Sequence, residues 1–187
     1  MSVEISKRRF TADDYQRMGQ AGILSRRDRV ELIDGDVVAM TPIGARHCAA
    51  VDRTNRAMVM QAGDKAIVRV QGSVRLDLYH EPEPDLVLLR PKPDFYASGH
   101  PGPADILLIV EIAESSIDYD RDVKGTTYAR LGVREYWLAD LNEDLLSCYA
   151  EPRDGAYRSL QQYRRGQSVA PQLLPECVIA VDVLLSP

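Results

Sequence analysis

The chain has 187 residues, 45% of them hydrophobic and 27% charged. That suits one globular domain over residues 1–187 and excludes a disordered chain or a coiled coil. No stretch approaches the ~20 apolar residues of a membrane span and MSVEISKRRF lacks a signal-peptide core, so no membrane partner and a cytoplasmic location are expected. The net charge of −5 hides a gradient, with 13 Lys/Arg against 9 Asp/Glu through Arg75 and the remaining 10 against 19 beyond it.

Thr11-Ala-Asp-Asp14 resembles a capping box with Asp in the usual Glu position, predicting a helix over 12–20 that stops near Gly22. VELIDGDVVAM places β-rich flanks around Asp34-Gly35, the signature of a two-residue hairpin. Residues 45–61 carry no proline and predict a long helix ending near Gly63. AIVRV and SVRLDL flank Gln71-Gly72 and predict a second hairpin. A strand over 85–89 follows EPEP. Four prolines and two glycines in residues 91–103 make that segment a loop, with the freedom to move over a site. ILLIV is a strand buried on both faces, a helix follows over 118–131 up to Gly132, and EYWLAD is a second central strand with Tyr136 and Trp137 as core. Residues 145–149 and 157–163 form a third hairpin about Asp154-Gly155, and 177–181 a last short strand.

Basic residues gather at Lys7, Arg8 and Arg9, at Arg26, Arg27 and Arg29, and at Arg46, Arg53 and Arg56; such clusters face phosphates or simply solvent. Cys48, Cys148 and Cys177, like His47, His80 and His100, are too scattered for a disulfide framework or a zinc motif. No small-molecule organic cofactor is expected.

The chemistry gathers around ILLIVEIAESSIDYDRDVK. Glu111 ends a buried strand, and an ionised buried carboxylate costs several kcal/mol unless it is paired or at work. Asp85 opens the strand after Pro84; if the two strands run antiparallel, both carboxylates lie at one sheet edge. Two such groups repel unless one is protonated or a divalent cation sits between them, and Mg²⁺ suits that donor set. Asp120, Lys124 and Tyr128 follow at i, i+4 and i+8, beside an apolar row of Tyr119, Val123, Thr127 and Leu131. From there Lys124 can reach Glu111 with Asp120 as its partner. The plainer alternative is a helix salt bridge with a tyrosine capping the core. Glu135 stands to bond the backbone of the turn before it.

Pro84-Asp85, VEIAESS, DRDVK and YARLGVREYWLAD, together with ELIDGDVVAMTP and His47, resemble the Uma-type family of restriction-endonuclease-like proteins. That family is long filed as a domain of unknown function and placed in the PD-(D/E)xK nuclease superfamily. The resemblance runs from about Phe10 to Asp182. It implies an α/β (α+β) restriction-endonuclease-like core, a mixed β-sheet flanked by helices with β-hairpins. It further implies Asp85 and Glu111 as ligands of Mg²⁺, with Mn²⁺ as a substitute, Glu31 as a third acid, and Lys124 orienting or activating the attacking water. The superfamily's lysine two residues after the glutamate is here Ala113, and Lys124 on the next helix stands in for it. Glu31 is either that acid or a strand residue facing solvent; His47 contacts phosphate, caps its helix or is simply exposed; Asp120 and Tyr128 support the site. The expected function is a metal-dependent DNA endonuclease acting as a homodimer. The alternatives are a binding module that keeps the fold and grips nucleic acid or a protein without cutting, and a purely structural domain.

Overall fold

A computed structural model describes residues 7–25 and 27–185, so Arg26 of the second basic cluster lies outside the described residues. Helix α1 spans Ala12–Gln20. Its capping box is reciprocal: the Asp14 amide donates to Thr11 Oγ1 at 3.1 Å and the Thr11 amide to the Asp14 carboxylate at 3.0 Å. Strands β1 (Val30–Ile33) and β2 (Asp36–Ala39) pair antiparallel across Asp34-Gly35. Both turn residues have positive φ, 52° and 77°, as a two-residue turn matched to strand twist requires. Helix α2 fills Ala45–Ala62 and stops at Gly63.

Six strands form the main sheet in the spatial order β3 (Ile67–Val70), β4 (Leu86–Leu89), β5 (Ile106–Ala113), β6 (Glu135–Asp140), β7 (Leu145–Arg153), β8 (Ala156–Tyr163). All neighbours are antiparallel except β5 and β6. A parallel pair needs a crossover, and the helical stretch between them supplies it: a wide π-helical turn over Tyr119–Lys124, then helix α3 over Gly125–Arg130. A small ribbon of β9 (Ser168–Val169) and β10 (Ile179–Ala180) leads into α4 (Val181–Leu185).

Alternation along the strands divides the core in two. Leu86, Leu88, Leu108, Val110, Ile112 and Trp137 pack with Met58 of α2 and Leu184 of α4. Val87, Leu89, Ile109, Tyr136 and Leu138 pack on the other face with Tyr128 of α3. Each such large side chain withdrawn from water contributes about 1.5–3 kcal/mol. The crossover lies close against the sheet: a Cβ on Gly125 would stand 3.3 Å from the Tyr136 ring.

The expected second hairpin does not form. Ile67–Val70 pairs with Leu86–Leu89 instead, and SVRL folds onto the chain that follows it, Val74 N–H bonding the Pro82 carbonyl and Leu76 N–H the His80 carbonyl, both at 3.0 Å. Alternation in two runs reveals two extended segments but not their pairing. The 91–103 loop is pinned by Tyr96, whose ring is buried and whose hydroxyl donates to the Arg90 carbonyl at 2.7 Å. None of its residues lines the cleft described below. The expected last strand shortens to Ile179–Ala180 before α4 begins. Among the described residues no helix is long and apolar enough to cross a membrane.

Candidate active site

The β4/β5 register, Leu86 opposite Val110, brings Asp85 and Glu111 to one edge of the sheet as the sequence led us to expect. The Asp85 amide donates to Glu111 Oε2 at 3.3 Å, and the Ile112 amide donates to Asp85 Oδ2 at 2.9 Å. With Leu108, Val110 and Ile112 facing α2, alternation turns Glu111 toward the crossover helix. There Lys124 Nζ lies 3.1 Å and the Tyr128 hydroxyl 2.8 Å from Glu111 Oε1.

Lys124 also lies 3.3 Å from Glu31 Oε2 and 3.8 Å from Asp120 Oδ1, so one buried ammonium serves three buried carboxylates. The wide turn makes this possible. Its closing bond runs from the Gly125 amide to the Asp120 carbonyl, five residues back, and this broadening brings residues four apart nearly into line. Asp120, Lys124 and Tyr128 therefore occupy the centre of the buried face rather than its border, and Val123 of the expected apolar row is exposed.

Burial pushes the Glu111 carboxyl up to about 8; Lys124 opposes this, while Asp120, Asp85 and Glu31 add to it. Burial works against the Lys124 ammonium, but Glu111, Glu31 and Asp120 overrule it and hold Lys124 charged well above its ordinary range. Burial likewise raises Asp120, with Ser116 donating to it at 2.5 Å in partial compensation. The cluster thus has more acid than cation, and that imbalance adds to the burial that raises Glu111.

Glu31 is 1% exposed rather than solvent-facing. It accepts from the Glu83 amide at 3.2 Å and the Tyr119 hydroxyl at 3.4 Å. His47 neither caps its helix nor lies exposed: it is buried, with Nε2 3.0 Å from Asp85 Oδ2 and Nδ1 without a hydrogen-bond partner among the described residues. Burial pulls its pKa down, and the Asp85 bond and charge more than restore it. Glu135 bonds neither the preceding turn nor the cluster; it accepts from Trp137 Nε1 and the Gln172 amide, both at 2.7 Å.

These side chains open on a cleft of about 450 Å³. Glu83, Glu114 and Asp118 join Glu31, Asp85, Glu111 and Asp120 along it, so seven carboxylates face Arg29, His47 and Lys124. The three added acids were missed in the sequence. Only Glu83 left a signal there, lying two residues before Asp85, the period of extended chain. Among the described residues of the basic clusters, only Arg29 lines the cleft; Arg46 bonds the Leu141 carbonyl and Asn142, and Arg9 lies against Asp34 and the Tyr79 ring.

Among the described residues no three His, Cys, Asp or Glu are arranged to hold a metal ion unaided. The donors available at Asp85 and Glu111 are hard carboxylate oxygens in a cleft short of positive charge, and Asp85 Oδ1 has no hydrogen bond to any described residue. This fits a hard divalent cation taken by two carboxylates, with water or phosphate completing the shell.

A family model described as "Uma2: Putative restriction endonuclease" matches residues 12–182. Among solved structures, the chain resembles a putative nuclease belonging to DUF820 from Anabaena variabilis, at 14% identity and a TM-score of 0.72, covering 95% of this chain and 98% of that one. At that identity the likeness speaks for the fold, the mixed sheet flanked by helices. Comparison with curated proteins gives no match.

Proposed function

Since the chain belongs to the Uma2 family of putative restriction endonucleases, we propose that it is a single-domain, metal-dependent endonuclease that hydrolyses phosphodiester bonds in DNA. The observation that carries this reading is the convergence of Asp85 and Glu111 at one sheet edge, in one cleft, with Lys124 against Glu111. Asp85 and Glu111 would hold Mg²⁺, or Mn²⁺ in its place. Bound there, the ion would supply Lewis acidity toward a phosphoryl oxygen and lower the pKa of a bound water.

The protein's own groups prepare that event. His47 and the Ile112 amide fix the Asp85 carboxylate through Oδ2 and leave Oδ1 available. Tyr128 anchors Glu111 Oε1. Glu31 and Asp120 keep Lys124 protonated and aimed, so that it can stabilise charge gathering on the phosphoryl oxygens as water attacks. Cutting two strands calls for two sites, so the reading includes a homodimer working in the cytoplasm; sedimentation of the purified chain with and without duplex DNA tests the dimer.

One observation favours a second reading, a module that binds without cutting. Lys124 already sits among three carboxylates, and the superfamily's lysine position is Ala113. The deciding assay is a panel of plasmid, duplex, branched and single-stranded substrates with wild type, Asp85→Ala, Glu111→Ala and Lys124→Ala. We expect slow cleavage with Mg²⁺ or Mn²⁺, none with EDTA, and a loss of roughly a hundredfold or more for Lys124→Ala with binding retained. If wild type binds metal and DNA yet cuts nothing, or if all four proteins cut alike, the binding module takes the nuclease's place.

A further inference from the structure

Two residues lining the cleft hold a backbone conformation that L-residues seldom adopt. Arg29, just before β1, has φ 41°, and Gln71, just after β3, has φ 45°. Such conformations are costly for L-residues and persist where the surroundings enforce them. Here the backbone is what is enforced: the Met40 amide donates to the Arg29 carbonyl at 2.8 Å, and the Gln71 amide to the Asp85 carbonyl at 3.0 Å. The side chains are left over. Both are half-buried, both line the cleft, and neither makes a hydrogen bond or ion pair with any described residue.

This sets Arg29 apart from the other two basic residues of the cleft. Lys124 is held by three carboxylates and His47 by Asp85. Arg29 only offsets part of the burial penalty on half-buried Glu83. A phosphodiester entering beside seven acidic side chains meets repulsion that a cation outside the acid cluster relieves, and a guanidinium presents paired donors matched to two phosphate oxygens.

We propose that Arg29 and Gln71 grip a non-scissile phosphate of the substrate strand, Arg29 through its guanidinium and Gln71 through its side-chain amide. Resting on the nuclease reading for where the strand lies, the assignment makes the grip independent of base sequence, since phosphate contacts fix position and carry no code.

Binding of labelled single-stranded and duplex DNA in Ca²⁺, followed by anisotropy across a salt series, tests this apart from cleavage. Arg29→Ala should weaken binding and lower the slope of log K against log salt by about 0.7–0.9, the share of one phosphate contact. Arg29→Gly, which accepts the left-handed backbone, should do the same, while Arg29→Lys should keep the slope and recover part of the affinity. Gln71→Gly should weaken binding with no fall in melting temperature. Calorimetric Mn²⁺ binding should be unchanged in all four variants. If Arg29→Ala and Arg29→Gly bind with wild-type affinity, or bind more weakly at an unchanged slope, the proposal is overturned while a wild type that binds and cuts keeps the nuclease reading intact. A wild type that binds no DNA at any salt overturns both.

Discussion

Glu111 and Glu135 sit on the parallel pair β5 and β6, 3% and 4% exposed, Glu111 toward the end of its strand and Glu135 at the start of its own. Glu135 receives two neutral donors, the Trp137 indole and the Gln172 amide, and lines no part of the cleft. Glu111 receives an ammonium and a phenol, shares that ammonium with Glu31 and Asp120, and opens on the cleft. Burial raises the pKa of both. Burial and a shifted pKa therefore do not by themselves mark a working carboxylate. What separates the two is unbalanced charge in contact with a space that a ligand can enter.

The hardest test of that contrast is Lys124→Ala. Three carboxylates would lose their shared cation, at about 3–5 kcal/mol, enough to lower the melting temperature in EDTA by roughly 10 °C. A shift of a degree or two would mean that the cluster neutralises itself by protonation. Next comes the pair Glu111→Gln and Glu135→Gln in a Mg²⁺ cleavage assay. The first should cost roughly a hundredfold and the second less than about twofold; equal losses would erase the distinction.

A smaller effect is the pH dependence of stability without metal. Folded Glu111 keeps its proton to about pH 8, whereas its ordinary value is 4.5. Between those values the folded state binds a proton that the unfolded state has released. Its contribution is full below about pH 4.5 and is lost as pH rises toward 8, with a slope of up to about 1.4 kcal/mol per pH unit. Raised Asp120, Glu83 and His47 tilt stability the same way. Melting curves from pH 5 to 8 in EDTA should be flatter for Glu111→Gln than for wild type, and parallel curves would put the proton elsewhere. The smallest effect belongs to Glu135→Gln, whose amide can satisfy only one of two donors, for about 1–2 kcal/mol in denaturant unfolding. A neutral result would remove Glu135 as a structural anchor.

Legibility followed the range of the interaction. The Thr11–Asp14 box, the Asp34-Gly35 hairpin and the start of α2 at Ala45 were readable because each depends on residues a few positions apart. The row of Asp120, Lys124 and Tyr128 was readable as a row, though spacing alone left a plain salt bridge open. The pairing partner of Ile67–Val70 was not, because the neighbouring SVRL alternates as a hairpin partner would, while the uniformly apolar LVLL carries no mark of which strand it joins.

By itself the sequence determined most of the local elements, the second hairpin excepted, the places of Asp85 and Glu111 at the start and end of two strands that share an edge if they run antiparallel, and the motifs shared with a family of putative restriction endonucleases. Only the tertiary structure decided that Glu31 is buried beneath Tyr119, 88 residues away, that His47 holds Asp85 across 38, and that Glu135 reaches Gln172 across 37. The physical reason is that backbone preference is written in adjacent residues. The charge of a buried carboxyl is instead a sum over every dipole and ion that the fold brings around it, and strand periodicity names the face of a side chain without naming what covers it.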